Sequence, residues 1–300
     1  MEGLIKNKIL ITGITGFTGK HLEAFYQRKD YDVYGTTFSI SENPNHFLCD
    51  ITKKEEIKSL LKEVNPDYII HTAAISFVAG DNQNQMYNVN VFGTLNLLDS
   101  IVESQINPKK IIIASSATVY GGIAPILSED MCPAPVNHYG NSKLAMENMV
   151  KNYFNNLHII ITRPFNYTGI GQTENFLIPK IVKHFKEKAE FIELGNTKVY
   201  REFNDVNFVV KCYDQLLLSS VSSVIVNVCS SRTYSIGYII SCLEEITKHS
   251  IKVRVNQKYV RKNEIESLKG SSKKLRDIIQ DVSKDYSLKE TLEKMCYQLE

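Results

Sequence analysis

The stretch ILITGITGFTGKHLEAF, residues 9–25, limits what this chain can fold into more than any other. A short apolar run meets three glycines, Gly13, Gly16 and Gly19, spaced three apart, and an amphipathic helical pattern follows. Glycine at a strand-to-helix junction permits a tight turn and close approach of a ligand to the backbone. A pyrophosphate can then sit on the helix N-terminus, where N–H groups and the helix dipole favour negative charge. Thr15, Phe17 and Thr18 fill the positions between the glycines, so the expected contact set for a dinucleotide here is Gly13, Thr15, Gly16, Phe17, Thr18 and Gly19.

Beyond this turn, short apolar runs alternate with helical patterns. The runs fall at 8–12, 32–36, 46–50, 68–74, 110–115 and 158–165, with amphipathic stretches at 19–29, 53–64 and 87–105. Strands separated by helices of this length read as successive βαβ units, because a parallel crossover must return over the sheet. The predicted fold is α/β: a doubly wound parallel sheet with a smaller mixed C-terminal lobe. Residues 1–165 are expected to form the dinucleotide-binding domain, completed by about 205–230, and residues 166–204 and 231–300 the substrate lobe. Further helices are expected at 177–188 and 235–248, with a late strand at 222–229.

The charges nearly cancel, 35 basic against 33 acidic residues, which argues against a nucleic-acid or membrane-surface partner. Six cysteines lie scattered without metal-type spacing. That pattern predicts reduced thiols, no metal site and a cytoplasmic setting. No apolar run approaches the length of a membrane span.

In a doubly wound sheet, ligands bind beyond the carboxyl ends of the strands. The second strand ends in Gly35, Thr36, Thr37, Phe38 and Ser39. No carboxylate stands there to repel a 2′-phosphate, and no arginine to attract one, so the sequence leans to NADP(H) and leaves NAD(H) open. Thr36, with Asp50, Ile51, Ala73 and Ala74 at the neighbouring strand ends, completes the expected cofactor contacts.

Further along, NHYGNSKLAME places Tyr139 four residues before Lys143. Positions i and i+4 share one helical face, so the ammonium lies near the phenol and favours its ionised form. A tyrosine of reference pKa about 10 serves as an acid or base near neutrality only when a neighbouring cation shifts it. Taken alone, the pair reads more readily as an idle surface contact, since such pairs are common on helices.

With TGITGFTG, HTAA, SSATVYG and YGNSK in order, the chain resembles the extended short-chain dehydrogenase/reductase family, whose sheet is of the Rossmann type. The resemblance implies a catalytic set of Ser116, Tyr139 and Lys143. The tyrosine would act as the acid or base, the lysine would lower its pKa and bind the nicotinamide ribose, and the serine would hydrogen-bond the reacting oxygen. Further segments, RPFNYTGIGQ, GNTKVYREFNDV, NVCSS and VRKNEIESLKGSSKKLRD, are similar to the nucleotide-sugar branch, and most to enzymes that reduce GDP-4-keto-6-deoxy sugars for surface polysaccharide. Carried over, the substrate-binding residues would be Ser116, Thr118, Asn166, Arg201, Arg261 and Glu264. Arginine forks suit a diphosphate and a carboxylate suits ribose hydroxyls. Lys262 departs from the proline usual in that branch. The resemblance also implies a homodimer formed through the helices at 87–105 and 139–154.

Reactions on this scaffold differ in what stands beside the serine. Sugar-nucleotide 4,6-dehydratases need an Asp–Glu pair just after it, and this chain has Ala117–Thr118. Epimerising reductases carry a cysteine and a histidine where Thr118 and Gly171 stand. Neither residue here can exchange protons at an activated carbon. Hydride transfer at C4 of a hexose or heptose remains. A UDP-hexose 4-epimerase using NAD, and a non-catalytic redox sensor, are the alternatives.

Overall fold

The computed structural model describes residues 6–76, 82–257 and 267–298. Strands β1 (Asn7–Thr12), β2 (Tyr31–Thr37), β3 (His46–Leu48), β4 (Tyr68–His71), β5 (Lys110–Ala114), β6 (Ile159–Pro164) and β7 (Val224–Val228) form a seven-stranded sheet in the order β7-β6-β5-β4-β1-β2-β3. From β6 to β3 every neighbouring pair is parallel. A parallel strand is buried on both faces and therefore reads as a continuous apolar run. Ile9–Ile11, Ile111–Ile113 and Ile159–Ile161 do so, all fully buried. The expected doubly wound α/β sheet is present. Its order reverses between β1 and β4, the switch point that opens a crevice at their carboxyl ends.

Helices α1 (Phe17–Gln27), α2 (Lys54–Val64), α3 (Gln83–Tyr87), α4 (Thr94–Glu103) and α5 (His138–Val150) complete this part of the chain. Helix α2 follows its sequence pattern closely. Ile57, Leu60, Leu61 and Val64 are its buried stripe at helical spacing, and Asn65, at φ 47°, ends it in the left-handed conformation. The stretch expected as one helix over 87–105 is instead α3 and α4 joined by a π-helical segment, Asn88–Gly93. That wider turn was not legible from spacing, since a single π turn inserted in a helix is too short to set a period of its own.

By contact density the chain divides into two units. The first comprises Met1–Gly121, Glu129–Pro164 and Cys212–Val226; the second comprises Gly122–Ser128, Phe165–Lys211 and Asn227–Glu300. In the second, helices Leu177–Lys186, Ile236–Thr247 and Leu288–Tyr297 pack around Ile181, Ile239, Leu243 and Leu292. Glu202 is buried beside a four-stranded sheet that includes Tyr200–Arg201 and Ser267–Gly270. Its carboxylate accepts from Gly270 N–H at 2.6 Å, Ser230 N–H at 3.0 Å and Asn204 Nδ2 at 3.2 Å. Burial raises its pKa and these donors oppose the rise.

Candidate active site

The glycine turn is built as its spacing requires. Gly13 sits at φ +70°, and a Cβ there would lie 2.9 Å from Ala73 Cα. Gly16 caps α1 with no side-chain bond, and no acidic residue stands in the first turn of that helix. Both features suit an incoming anion. A Cβ on Gly19 would meet Gly13 O at 2.3 Å and Ile14 Cα and O at 2.6 Å, so only glycine lets α1 start this close to the turn. These residues fit a dinucleotide pyrophosphate.

The other cofactor candidates divide. Thr36 is buried and its hydroxyl accepts Gly13 N–H at 3.0 Å, so it holds the turn from within. Thr15, Thr37 and Ser39 form a hydroxyl group at the end of β2, with Thr15 Oγ1 and Thr37 Oγ1 3.3 Å apart. Asp50 Oδ1 accepts from Thr52 N–H and Oγ1, an Asx turn ahead of α2. Ile51 is a core residue with 1 % exposure, a packing group and not a side chain presented to a ligand. Ala73 N–H donates to Thr12 Oγ1, which places Ala73 beside Gly13 at the switch point, with Ala74 the next residue along.

Helix α5 begins at Asn137, whose side chain accepts Gly140 N–H as the N-cap. Tyr139 is half-buried and Lys143 buried, one turn apart. At this helix start Asn137, His138 and Asn141 are exposed, while Gly140, Ser142 and Lys143 are buried. Lys143 Nζ donates to Ala114 O at 2.8 Å, which ties α5 to the carboxyl end of β5, two residues before Ser116. Ser116 Oγ accepts from Thr118 N–H at 3.2 Å and Thr118 Oγ1 at 2.9 Å. Both bonds use the oxygen, so the hydroxyl proton points elsewhere. Burial lowers the Lys143 pKa to about 8, and the Glu147 charge opposes that fall. The group is therefore mostly charged at pH 7 and loses its proton above pH 8. The kcat/KM profile of the free enzyme is expected to fall on an alkaline limb near pH 8; a flat profile to pH 10 would contradict this.

Below the lysine lies a network that residue spacing did not reveal. His71 is enclosed, and burial, aided by the charge of Lys143, pushes its pKa down to about 3. Thr94 Oγ1 donates to Asn90 O, which assigns the His71 Nε2 proton to a bond with Thr94 Oγ1 at 2.9 Å. The Nδ1 atom then accepts from Thr12 Oγ1 at 2.7 Å. Asn90, on the π segment, donates to Ile75 O and Ser142 Oγ and accepts Ile75 N–H, linking the segment after β4 to α5. Glu147 and Arg163 form a buried pair: Nε to Oε1 at 2.9 Å and Nη2 to Oε2 at 2.6 Å. Burial works against the arginine's charge, but Glu147 outweighs it and raises its pKa. An arginine inside an apolar strand demands a partner, which is the signal the sequence carried for this pair.

The geometry can be set beside known proteins. A family model described as GDP-mannose 4,6 dehydratase matches residues 10–295. The chain belongs to this branch of the extended short-chain dehydrogenase/reductase family. It is 36% identical over 290 residues to the GDP-6-deoxy-D-talose 4-dehydrogenase of Aggregatibacter actinomycetemcomitans, covering 96% of each chain. It is 28% identical to the GDP-6-deoxy-D-mannose reductase of Pseudomonas aeruginosa, covering 90% of each. The structure of RMD from Pseudomonas aeruginosa complexed with NADPH superposes with a TM-score of 0.83 at 27% identity, over 97% of this chain and 98% of that one.

As a member of this family the chain is an NAD(P)-dependent oxidoreductase. The family residues expected at the nucleotide half fall in the second unit. Asn166 is exposed, and its carbonyl accepts Asn204 N–H at 2.9 Å. Arg201 is half-buried, with Nη1 donating to Tyr200 O at 2.8 Å. Arg261 and Glu264 lie outside the described residues. Among the described residues no helix is long and apolar enough to cross a membrane.

Proposed function

We propose that this enzyme transfers hydride between NADP(H), or NAD(H), and C4 of a GDP-linked 6-deoxy sugar, reducing the 4-keto group in the biosynthetic direction. One observation carries the reading. Lys143 is anchored on Ala114 O, so Tyr139 and Lys143 share the face of α5 that is tied to the end of β5, and Ser116 follows two residues later with Ala117 and Thr118 where a dehydratase needs two carboxyl groups. Two relatives support it, one named as a 4-dehydrogenase of GDP-6-deoxy-D-talose and the other as a GDP-6-deoxy-D-mannose reductase.

Bound at the glycine turn, the nicotinamide cofactor supplies or accepts the hydride. In the reducing direction Tyr139 gives its proton to the oxygen as C4 takes the hydride, and Ser116 donates a hydrogen bond to the same oxygen. Lys143 lends its charge to the phenol and holds the ribose. Asn166, Arg201, Arg261 and Glu264 are assigned to the nucleotide half of the substrate. The end of β2 lacks a carboxylate, so NADPH is expected to bind at least as tightly as NADH. Exposed Phe92, Val102 and Met149 on the helices assigned to dimerisation support a homodimer, which a native mass measurement checks.

A panel of GDP- and UDP-linked 4-keto-6-deoxy sugars with NADPH or NADH, and of UDP-hexoses and GDP-6-deoxy sugars with NADP or NAD, tests the proposal by cofactor consumption or formation. Consumption confined to GDP-4-keto-6-deoxy sugars is the expected result, with GDP-6-deoxytalose or GDP-6-deoxymannose driving the reverse reaction. Interconversion of UDP-hexoses without net cofactor use would establish the 4-epimerase instead. Stoichiometric cofactor binding with no turnover on any sugar would leave a redox sensor.

A further inference from the structure

Glu147 occupies a position that neither the glycine turn nor the Ser116, Tyr139, Lys143 set uses. It lies one turn beyond Lys143 on α5 and is fully enclosed. Its two oxygens are taken by the Arg163 fork, and Oε1 also accepts Ser115 Oγ at 2.5 Å. Ser115 N–H donates to Thr162 O at 2.8 Å, so this strand end is held from both sides. Three successive residues at the end of β5 thus have three assignments. Ala114 is bound by Lys143, Ser115 by Glu147, and Ser116 carries the hydroxyl assigned to the substrate oxygen.

The charges around Lys143 can be followed element by element. On α5 it has Tyr139 one turn before and Glu147 one turn after. From β4 it faces His71, which is neutral, and from β6 Arg163 is engaged by Glu147. The Arg163 guanidinium lies over the Tyr120 ring at 4.7 Å. Among the described residues Glu147 is therefore the carboxylate that compensates the buried ammonium, and it does so while fixing the residue next to Ser116.

We propose that Glu147 is a positioning residue for hydride transfer, bracing the Ser116 strand end against the Tyr139–Lys143 face and standing as a carboxylate one helical turn from Lys143. This rests on the assignment of Tyr139 and Lys143 above. An opposite charge one helical turn away favours the charged lysine, so removing it moves the lysine's titration to lower pH. A purely structural carboxylate would lower stability, or lower turnover equally at every pH.

The test uses the full-length enzyme with the 4-keto sugar that serves as substrate, and compares kcat/KM profiles of wild type, Glu147→Gln and Ser115→Ala. Glu147→Gln is expected to move the alkaline limb down by about one pH unit, a loss at pH 9 about tenfold greater than at pH 6. Ser115→Ala keeps the ion pair and is expected to lower kcat with the limb in place. A Glu147→Gln limb at the wild-type position overturns the proposal. Should that variant fail to accumulate folded, Glu147→Asp carries the test: its shorter side chain withdraws the charge from Lys143, so a limb displaced to lower pH supports the role and a limb at the wild-type position overturns it. Tyr139→Phe run in parallel separates the two levels, because near-normal turnover in that variant removes the catalytic assignment whatever the Glu147 profiles show.

Discussion

Tyr139→Phe is expected to reduce kcat by about 10²–10⁴-fold, the contribution of a positioned general acid, while the cofactor still binds. The substitution deletes one oxygen from a half-buried side chain and leaves Lys143 bound to Ala114 O, so the fold and the glycine turn are untouched. Cofactor titration by fluorescence together with steady-state turnover checks both halves. Turnover within a few-fold of wild type would mean that another group protonates the C4 oxygen. Lost turnover with lost cofactor binding would mean that the phenol serves the cofactor and not the substrate.

Gly19→Ala is expected to have the largest effect on the folded state. A Cβ at Gly19 meets three backbone atoms, at 2.3, 2.6 and 2.6 Å, and backbone cannot move aside as a flexible side chain can. Overpacking of this kind costs about 3 kcal/mol, which for a domain of this size lowers Tm by about 10 °C. Gly16→Ala is the comparison. Its Cβ meets only Gly13 O, at 3.1 Å, beside the N-cap of α1. That variant is expected to lose cofactor affinity with a Tm close to wild type, whereas Gly19→Ala loses both. Equal Tm values for the two variants would show that the turn relaxes around the added methyl group.

The family model that matches the chain is named for a dehydratase, while the residues beside Ser116 argue against dehydration. Fold and cofactor turn are shared across the branch because they serve hydride transfer, a step common to dehydration, epimerisation at C3 or C5 coupled to reduction, and simple reduction. What separates these reactions is proton traffic at C3, C5 and C6, and that needs one or two extra acids or bases. Ala117, Thr118 and Gly171 supply none.

The sequence by itself determined the parallel sheet, the phosphate turn and the Tyr–Lys face. Each is written in local periodicity: continuous apolar runs for strands buried on both sides, glycines three apart, and a four-residue step along a helix. Only the tertiary structure decided which groups surround Lys143. Glu147 and Arg163 are 16 residues apart in the chain, and His71 reaches Lys143 from β4, across the switch from helix to sheet. It also decided that Thr36 supports the turn from inside and that Ile51 belongs to the core. Spacing reports which residues share one element's face. Which side chains meet from different elements, and which charges must balance once water is excluded, follows from packing alone.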